Sequence, residues 1–203
     1  LDHSISPKTK LVLWDHVTSA TALVQPVGRV VELCRNRGVL CVVDGAHGPG
    51  MLPLDLAALR ADFYVGNLHK WCCAPKGAAF AYVAEPHRSW VRPCNISHGY
   101  EIGRTAQSLA HLFDWPGTAD PTAWLAVPSA LKFMEELHPE GLGALRTSAV
   151  LLRRQAESML MKHAPLISKR TDRNGWMTSF RLPPAPTESL SALEIDPLQR
   201  TLK

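Results

Sequence analysis

Short apolar runs and helically spaced apolar positions alternate along the first half of this chain. Residues 11–14 (Leu-Val-Leu-Trp) are an apolar run entering Asp15-His16-Val17-Thr18-Ser19, which predicts a strand followed by a polar loop. Over 27–37 the apolar residues fall at Val27, Val30, Val31 and Cys34, a helical spacing, and Gly38 supplies the stop. Residues 39–43 form a continuous, valine-rich run, as expected of a strand buried on both faces. A short helix over 54–59 follows, with Asp55 near its start. Further strands are predicted over 62–65 and 78–83, the last after the turn-like Pro75-Lys76-Gly77. Strand, helix and strand joined by short connections give an α/β chain with a parallel sheet and right-handed crossovers.

The second half changes character. Residues 121–138 predict a helix with Pro121 in its first turn, and Pro128 should kink or divide it. Over 141–163 the apolar positions Leu142, Leu145, Ala149, Leu152, Ala156, Met159 and Leu160 describe an amphipathic helix. Residues 176–182 predict a strand, prolines at 183, 184 and 186 break the chain, and 190–203 begin another helical pattern. The expected division is a first unit over 1–135 and a second over 136–203. The second is too short to be a complete α/β domain.

Composition narrows the function classes. The chain has 203 residues, 46% of them hydrophobic and 20% charged, values ordinary for a globular protein with a sizeable core. The net charge of +4 is scattered. Arg153-Arg154 and Lys169-Arg170 are the densest basic pairs, and neither sits in an aromatic-interleaved block, so no nucleic-acid partner is expected. No run approaches a membrane span, and no membrane association is expected. The five cysteines (34, 41, 72, 73 and 94) lack CxxC or metal-ligand spacing, which fits a reducing, cytoplasmic setting and no metal site. A start at Leu1, inside a polar lead-in to a strand, suggests a fragment.

In open α/β sheets, ligands gather at the carboxyl ends of the strands. Asp44 and His47 follow one predicted strand, and Asn67, His69 and Lys70 follow the next. An acid that keeps a pyridine nitrogen protonated and a lysine able to form an imine are what pyridoxal 5'-phosphate (PLP) needs. Duller readings stand beside this one. Asp44 could shape the Gly45 turn, and Lys70 could face solvent, although Leu68, Trp71, Cys72 and Cys73 make its surroundings unusually apolar. His47 and His69 could donate to the cofactor's phenolic oxygen or phosphate, or be structural; a His/Asp metal site lacks the tight spacing that would support it. Trp115-Pro116-Gly117-Thr118 precedes the Pro121 helix and could meet an anion or simply cap that helix.

Longer motifs carry a resemblance. Asp44-Gly45-Ala46-His47, the linker from Pro49 to Leu56, and Asn67-Leu68-His69-Lys70-Trp71 through Gly77 resemble class V aminotransferases. The similarity is greatest to the isopenicillin N epimerase-like branch of these fold-type I PLP enzymes. Thr18-Ser19-Ala20-Thr21 and the run from Phe113 to Asp120 fit the same pattern, and the match extends from about residue 10 to residue 138. The resemblance implies a part of the fold-type I large domain, with a mostly parallel sheet flanked by helices, plus the start of a small α+β C-terminal domain. It implies Lys70 as the Schiff-base lysine, Asp44 as the pyridine-nitrogen partner and His47 at the ring or its phenolic oxygen. His69 and Asn67 would bind the phosphate, and Ser19 would make a polar contact to cofactor or substrate. Thr118 would reach the phosphate of a neighbouring subunit's cofactor, since family members are homodimers. The family's N-terminal phosphate loop, ring-stacking residue and carboxylate-binding arginine are not matched by residues of this chain. A desulfurase cysteine would lie past its end, so Cys72 and Cys73 are not assigned that role.

The expected function is therefore that of a PLP-dependent enzyme fragment acting on an amino acid or amine, epimerase-like, with Lys70 moving the α-proton. A carbon–sulfur lyase or cysteine desulfurase-like activity shares every residue named. A non-catalytic truncated remnant is the alternative from outside enzymology.

Overall fold

The computed structural model describes residues 1–102, 109–167 and 175–181. Its centre is a four-stranded sheet in the order β1 (Leu11–Asp15), β2 (Leu40–Gly45), β3 (Phe63–Asn67), β4 (Ala79–Val83). The first two pairings are parallel, with Leu11 opposite Leu40 and Val42 opposite Phe63, while β4 returns antiparallel to β3. Helix α1 (Val27–Asn36) makes the β1-to-β2 crossover, and the short α2 (Leu56–Leu59) lies between β2 and β3 with Asp55 accepting the Ala58 N–H as its cap.

Helix α1 has ten residues, too few to persist alone in water. Packing holds it: Val27, Val30, Val31 and Cys34 bury against Val12, Cys41, Val43 and Tyr64 on one sheet face. Each large aliphatic side chain so buried contributes roughly 1.5–3 kcal/mol. The opposite face departs from the two-sided burial predicted for β2. Leu11, Leu13 and Val65 stay 46%, 66% and 43% exposed there. The valine-rich pattern encodes a sheet meant to be covered twice, and the described residues cover it once.

The remaining helices are α3 (Leu109–Asp114), α4 (Thr122–Leu125), α5 (Val127–Glu136) and α6 (Gly141–Leu160). The predicted helix over 121–138 is divided, with Pro128 accommodated in the first turn of α5, where no intrahelical N–H is required. Among the described residues the strand predicted over 176–182 is reduced to a single antiparallel bridge, Leu166 with Phe180. That segment is anchored through side chains instead: Arg153 Nε of α6 donates to the Gly175 carbonyl at 2.9 Å while its guanidinium pairs with buried Glu157. The proline break at 183–186 and the helical pattern over 190–203 lie outside the described residues. Among the described residues no helix is long and apolar enough to cross a membrane.

Candidate active site

Two loops meet at the carboxyl edge of the parallel strands, one after β2 and one after β3. Each is shaped by its sequence. In the β2 loop, glycines make room for aromatic neighbours: a Cβ on Gly45 would lie 2.0 Å from the Tyr64 ring, and one on Gly48 2.1 Å from its hydroxyl. Gly50 has φ +82°, and its Cβ would meet the Trp71 carbonyl oxygen at 2.5 Å. Arg146 Nε of α6 donates to the Gly50 carbonyl at 2.9 Å, tying this loop to the helical half. Beneath it, buried His16 Nδ1 and Tyr64 Oη are 2.9 Å apart. Burial holds His16 below the usual histidine range and, with the charge of Asp44 adding to it, pushes the Tyr64 phenol up.

The β3 loop closes on one carbonyl. Ala78 C=O accepts from the backbone N–H groups of Leu68 and His69 and from His69 Nδ1, the ring contact being 3.0 Å. A carbonyl only accepts, so Nδ1 carries that proton. A turn from Lys70 to Cys73, with Cys73 at φ +58°, brings Lys70 to the loop's tip. Cys72 beside it is buried, and burial raises its thiol, so it stays protonated and inert.

The two loops touch through side chains. Lys70 Nζ lies 3.1 Å from His47 Nε2, and Trp71 Nε1–H donates to His47 Nδ1 at 3.2 Å. Burial is the largest influence holding His47 below its ordinary range. The Lys70 ammonium adds to it, while Asp44 and Asp15 oppose it. Those two carboxylates are register neighbours on β1 and β2. Asp44 is exposed, and its Oδ1 accepts the Ala46 N–H at 2.9 Å, so the turn-shaping role read from the sequence is real and leaves Oδ2 for another partner.

The structure thus brings Asp44, His47 and Lys70 to one edge, with Asn67 ending β3 and half-buried His69 next to Lys70. Ser19 is exposed in the turn after β1, a turn held by Thr18 Oγ1 accepting the Leu23 N–H at 2.9 Å. Thr118 is exposed between α3 and α4. No hydrogen bond, ion pair or ring contact joins Thr118 to the Lys70 cluster among the described residues. The preceding Gly117 lines a separate hollow of about 370 Å³ together with Ile96, Ser97, His98, Trp115 and Pro116. Among the described residues no three His, Cys, Asp or Glu side chains gather as metal ligands would. Sequence reasoning missed the indole bond of Trp71, the Arg146 tie and the His16–Tyr64 pair. All three cross long sequence separations, and no local spacing signals them.

A lysine, a histidine and an acid gathered at the carboxyl edge of an α/β sheet stand where such sheets bind their ligands. The family model for aminotransferase class-V matches residues 1–191, and the chain belongs to that family of PLP-dependent enzymes. It is 38% identical over 192 residues to isopenicillin N epimerase of Amycolatopsis lactamdurans, covering 89% of this chain and 48% of that protein. It is 40% identical over 128 residues to a probable chloroplastic L-cysteine desulfhydrase of Arabidopsis thaliana, covering 63% of this chain and 26% of that protein. Among solved structures, the Escherichia coli cysteine desulfurase CsdA superposes with a TM-score of 0.68 at 20% identity, covering 88% of this chain and 45% of that one. A C-DES mutant with glycine covalently linked to the PLP cofactor gives a TM-score of 0.68 at 22% identity, covering 85% of this chain and 47% of that one. These likenesses establish the fold, the mostly parallel sheet of fold-type I with flanking helices. The chain spans about half the length of the first curated relatives it matches.

Proposed function

We propose that this chain carries the PLP-anchoring half of an enzyme acting on an amino acid, epimerase-like, with Lys70 as the residue that holds the cofactor covalently. The observation that supports this most is the placement of Lys70 Nζ 3.1 Å from His47 Nε2, at the strand edge that also presents Asp44. The donor set fits the group. An amine can condense with an aldehyde, the free Asp44 oxygen can pair with a protonated pyridine nitrogen, and His47 can meet a phenolic oxygen. PLP, when bound, supplies an electron sink that lets the α-proton of an amino acid leave. Asp44 strengthens that sink by keeping the ring nitrogen charged, and Lys70 takes and returns the proton.

His69 and Asn67 are the phosphate ligands of this proposal. The Nδ1–H bond to the Ala78 carbonyl holds the His69 ring in place and leaves Nε2 for the phosphate. Ser19 supplies a hydroxyl to cofactor or substrate. Thr118 serves the neighbouring subunit of a homodimer, a role supported by its separation from this chain's own cluster. Five free thiols accord with a cytoplasmic setting for the proposal. The division into 1–135 and 136–203 is retained as the proposed domain boundary.

The test is an absorbance spectrum of the purified chain with added PLP, before and after Lys70→Ala. A visible imine band that disappears in the variant supports the proposal. Its absence from the original chain marks a non-catalytic remnant. The desulfhydrase match favours a second reading, carbon–sulfur lysis. With a partner supplying the other half, sulfide release from cysteine would indicate it, whereas α-proton exchange alone would indicate epimerisation.

A further inference from the structure

We infer that Trp71 is a positioning residue that fixes His47 in its Nε2–H tautomer, so that His47 presents a hydrogen-bond donor, and no base, toward Lys70 Nζ. An indole N–H only donates, so at 3.2 Å from Trp71 Nε1 the His47 Nδ1 must accept, and it carries no proton. A neutral imidazole has one proton, which is then on Nε2, 3.1 Å from Lys70 Nζ. A neutral ring accepts from only one of these two donors, and the packed indole, rather than the lysine at the end of its flexible stem, sets which nitrogen that is. Burial and the Lys70 charge keep the ring neutral against the pull of Asp44 and Asp15, the other charged groups that act on it.

Trp71 is held firmly enough to impose this choice. It packs against the cluster of Val17, Met51 and Leu52. Trp176 meets it edge-on, with ring centroids 5.8 Å apart at 79°. Gly175, next to Trp176, is pinned by Arg153 of α6. A mechanical line therefore runs from α6 through Trp176 and Trp71 to His47 and Lys70. The consequence for the proposed reaction is specific: His47 Nε2 already bears a proton and cannot be the second base that epimerisation requires. It is suited to a ligand atom that accepts, such as a phenolic oxygen.

This inference concerns the chain without cofactor and rests on the proposed function only for its catalytic meaning. It is tested by nitrogen-15 NMR of the 203-residue chain, with His47 assigned by His47→Gln. The expected result is an unprotonated Nδ1, scalar coupling between Trp71 Nε1 and His47 Nδ1 across the hydrogen bond, and the same Nδ1 state in Lys70→Ala. Trp71→Phe should abolish the coupling and raise the proton affinity of His47 roughly five-fold, the worth of one ordinary hydrogen bond. Incorporating β-(3-benzothienyl)alanine at Trp71 keeps the bicyclic shape without the N–H and should act likewise, which covers a Phe variant that does not fold. A protonated Nδ1 in the original chain would overturn the inference. So would a tautomer that flips in Lys70→Ala, or an unchanged proton affinity when the N–H is removed. Failure of PLP to attach would sink the proposed function and leave this result standing.

Discussion

The Lys70 edge and the Ile96–Thr118 region are built on opposite plans. At the Lys70 edge every loop is braced internally: Tyr64 fills the space above Gly45 and Gly48, the Trp71 carbonyl fills that above Gly50, and Trp71 bonds His47. In the other region Gly99 does pack closely, its Cβ position lying 1.7 Å from the His111 carbonyl of α3, but the outer surface is bare. Ile96 is 77% exposed, Trp115 46% and Phe113 45%, and Gly117 has nothing within 4 Å of its Cβ position. A site completed within one chain shows close internal packing. A site designed for a second chain leaves aromatic surface unmet, which is the pattern expected if Thr118 serves a neighbouring subunit.

The largest effect should come from disturbing the braced edge. Gly45→Ala drives a methyl into the Tyr64 ring and should cost about 3 kcal/mol by the overpacking rule. Gly117→Ala meets no atom and carries only the strain of φ +128°, about 1 kcal/mol. Urea unfolding of the two variants measures the gap. Equal losses would erase the contrast between the regions.

Tyr64→Phe should come next. It removes the hydroxyl 2.9 Å from His16 Nδ1 and leaves a buried ring nitrogen without its partner, at a cost of about 1–2 kcal/mol. An unchanged urea midpoint would show that the pair is incidental to the brace.

Acid should weaken the same edge by a calculable sign. Burial lowers the folded-state value of His16 below the ordinary 6.5, and His47 shifts the same way. The unfolded chain therefore takes up protons first. Stability is fully present above about pH 6.5 and falls as the pH drops below it, with a slope approaching about 1.4 kcal/mol per unit for the buried His16. Urea midpoints at pH 7.5, 6.5 and 5.5 read the slope, and His16→Gln should flatten part of it. A stability that rose on acidification would contradict this burial.

The sequence exposed these regions unequally, for physical reasons. β1, α1, β2 and β3 were legible because each repeats a local period: runs for buried strands, and the i, i+3, i+4 spacing of Val27, Val30, Val31 and Cys34 for the helix. Asp44, His47 and Lys70 were legible as a set because parallel topology delivers strand ends to one edge. The antiparallel return of β4 was not, since a strand's direction leaves no mark in its pattern. Nor was the bonding of Trp71, which reads locally as one more apolar neighbour of Lys70. Of the strand predicted over 176–182, the described residues pair only through the Leu166–Phe180 bridge, because Trp176 and Met177 pack as side chains against the cluster of Val17, Met51 and Leu52.

The smallest stability effect should be the most informative about the bare region. Trp115 stands 46% exposed beside the hollow that Gly117 borders, and its ring touches only the His98 ring at 6.4 Å among the ring contacts of the described residues. Trp115→Ser should therefore move the urea midpoint by no more than about 0.5 kcal/mol, as expected of a surface position without a buried partner. If that surface is where a second subunit docks, the same substitution should lower the sedimentation-measured dimer fraction of a full-length protein and slow PLP retention there, because Thr118 would no longer be held against the neighbouring site. Gly45→Ala should do the reverse at partial denaturation, losing fold before dimer. A Trp115→Ser protein that unfolds early, yet dimerises normally once folded, would mean that the bare surface belongs to this chain's own packing.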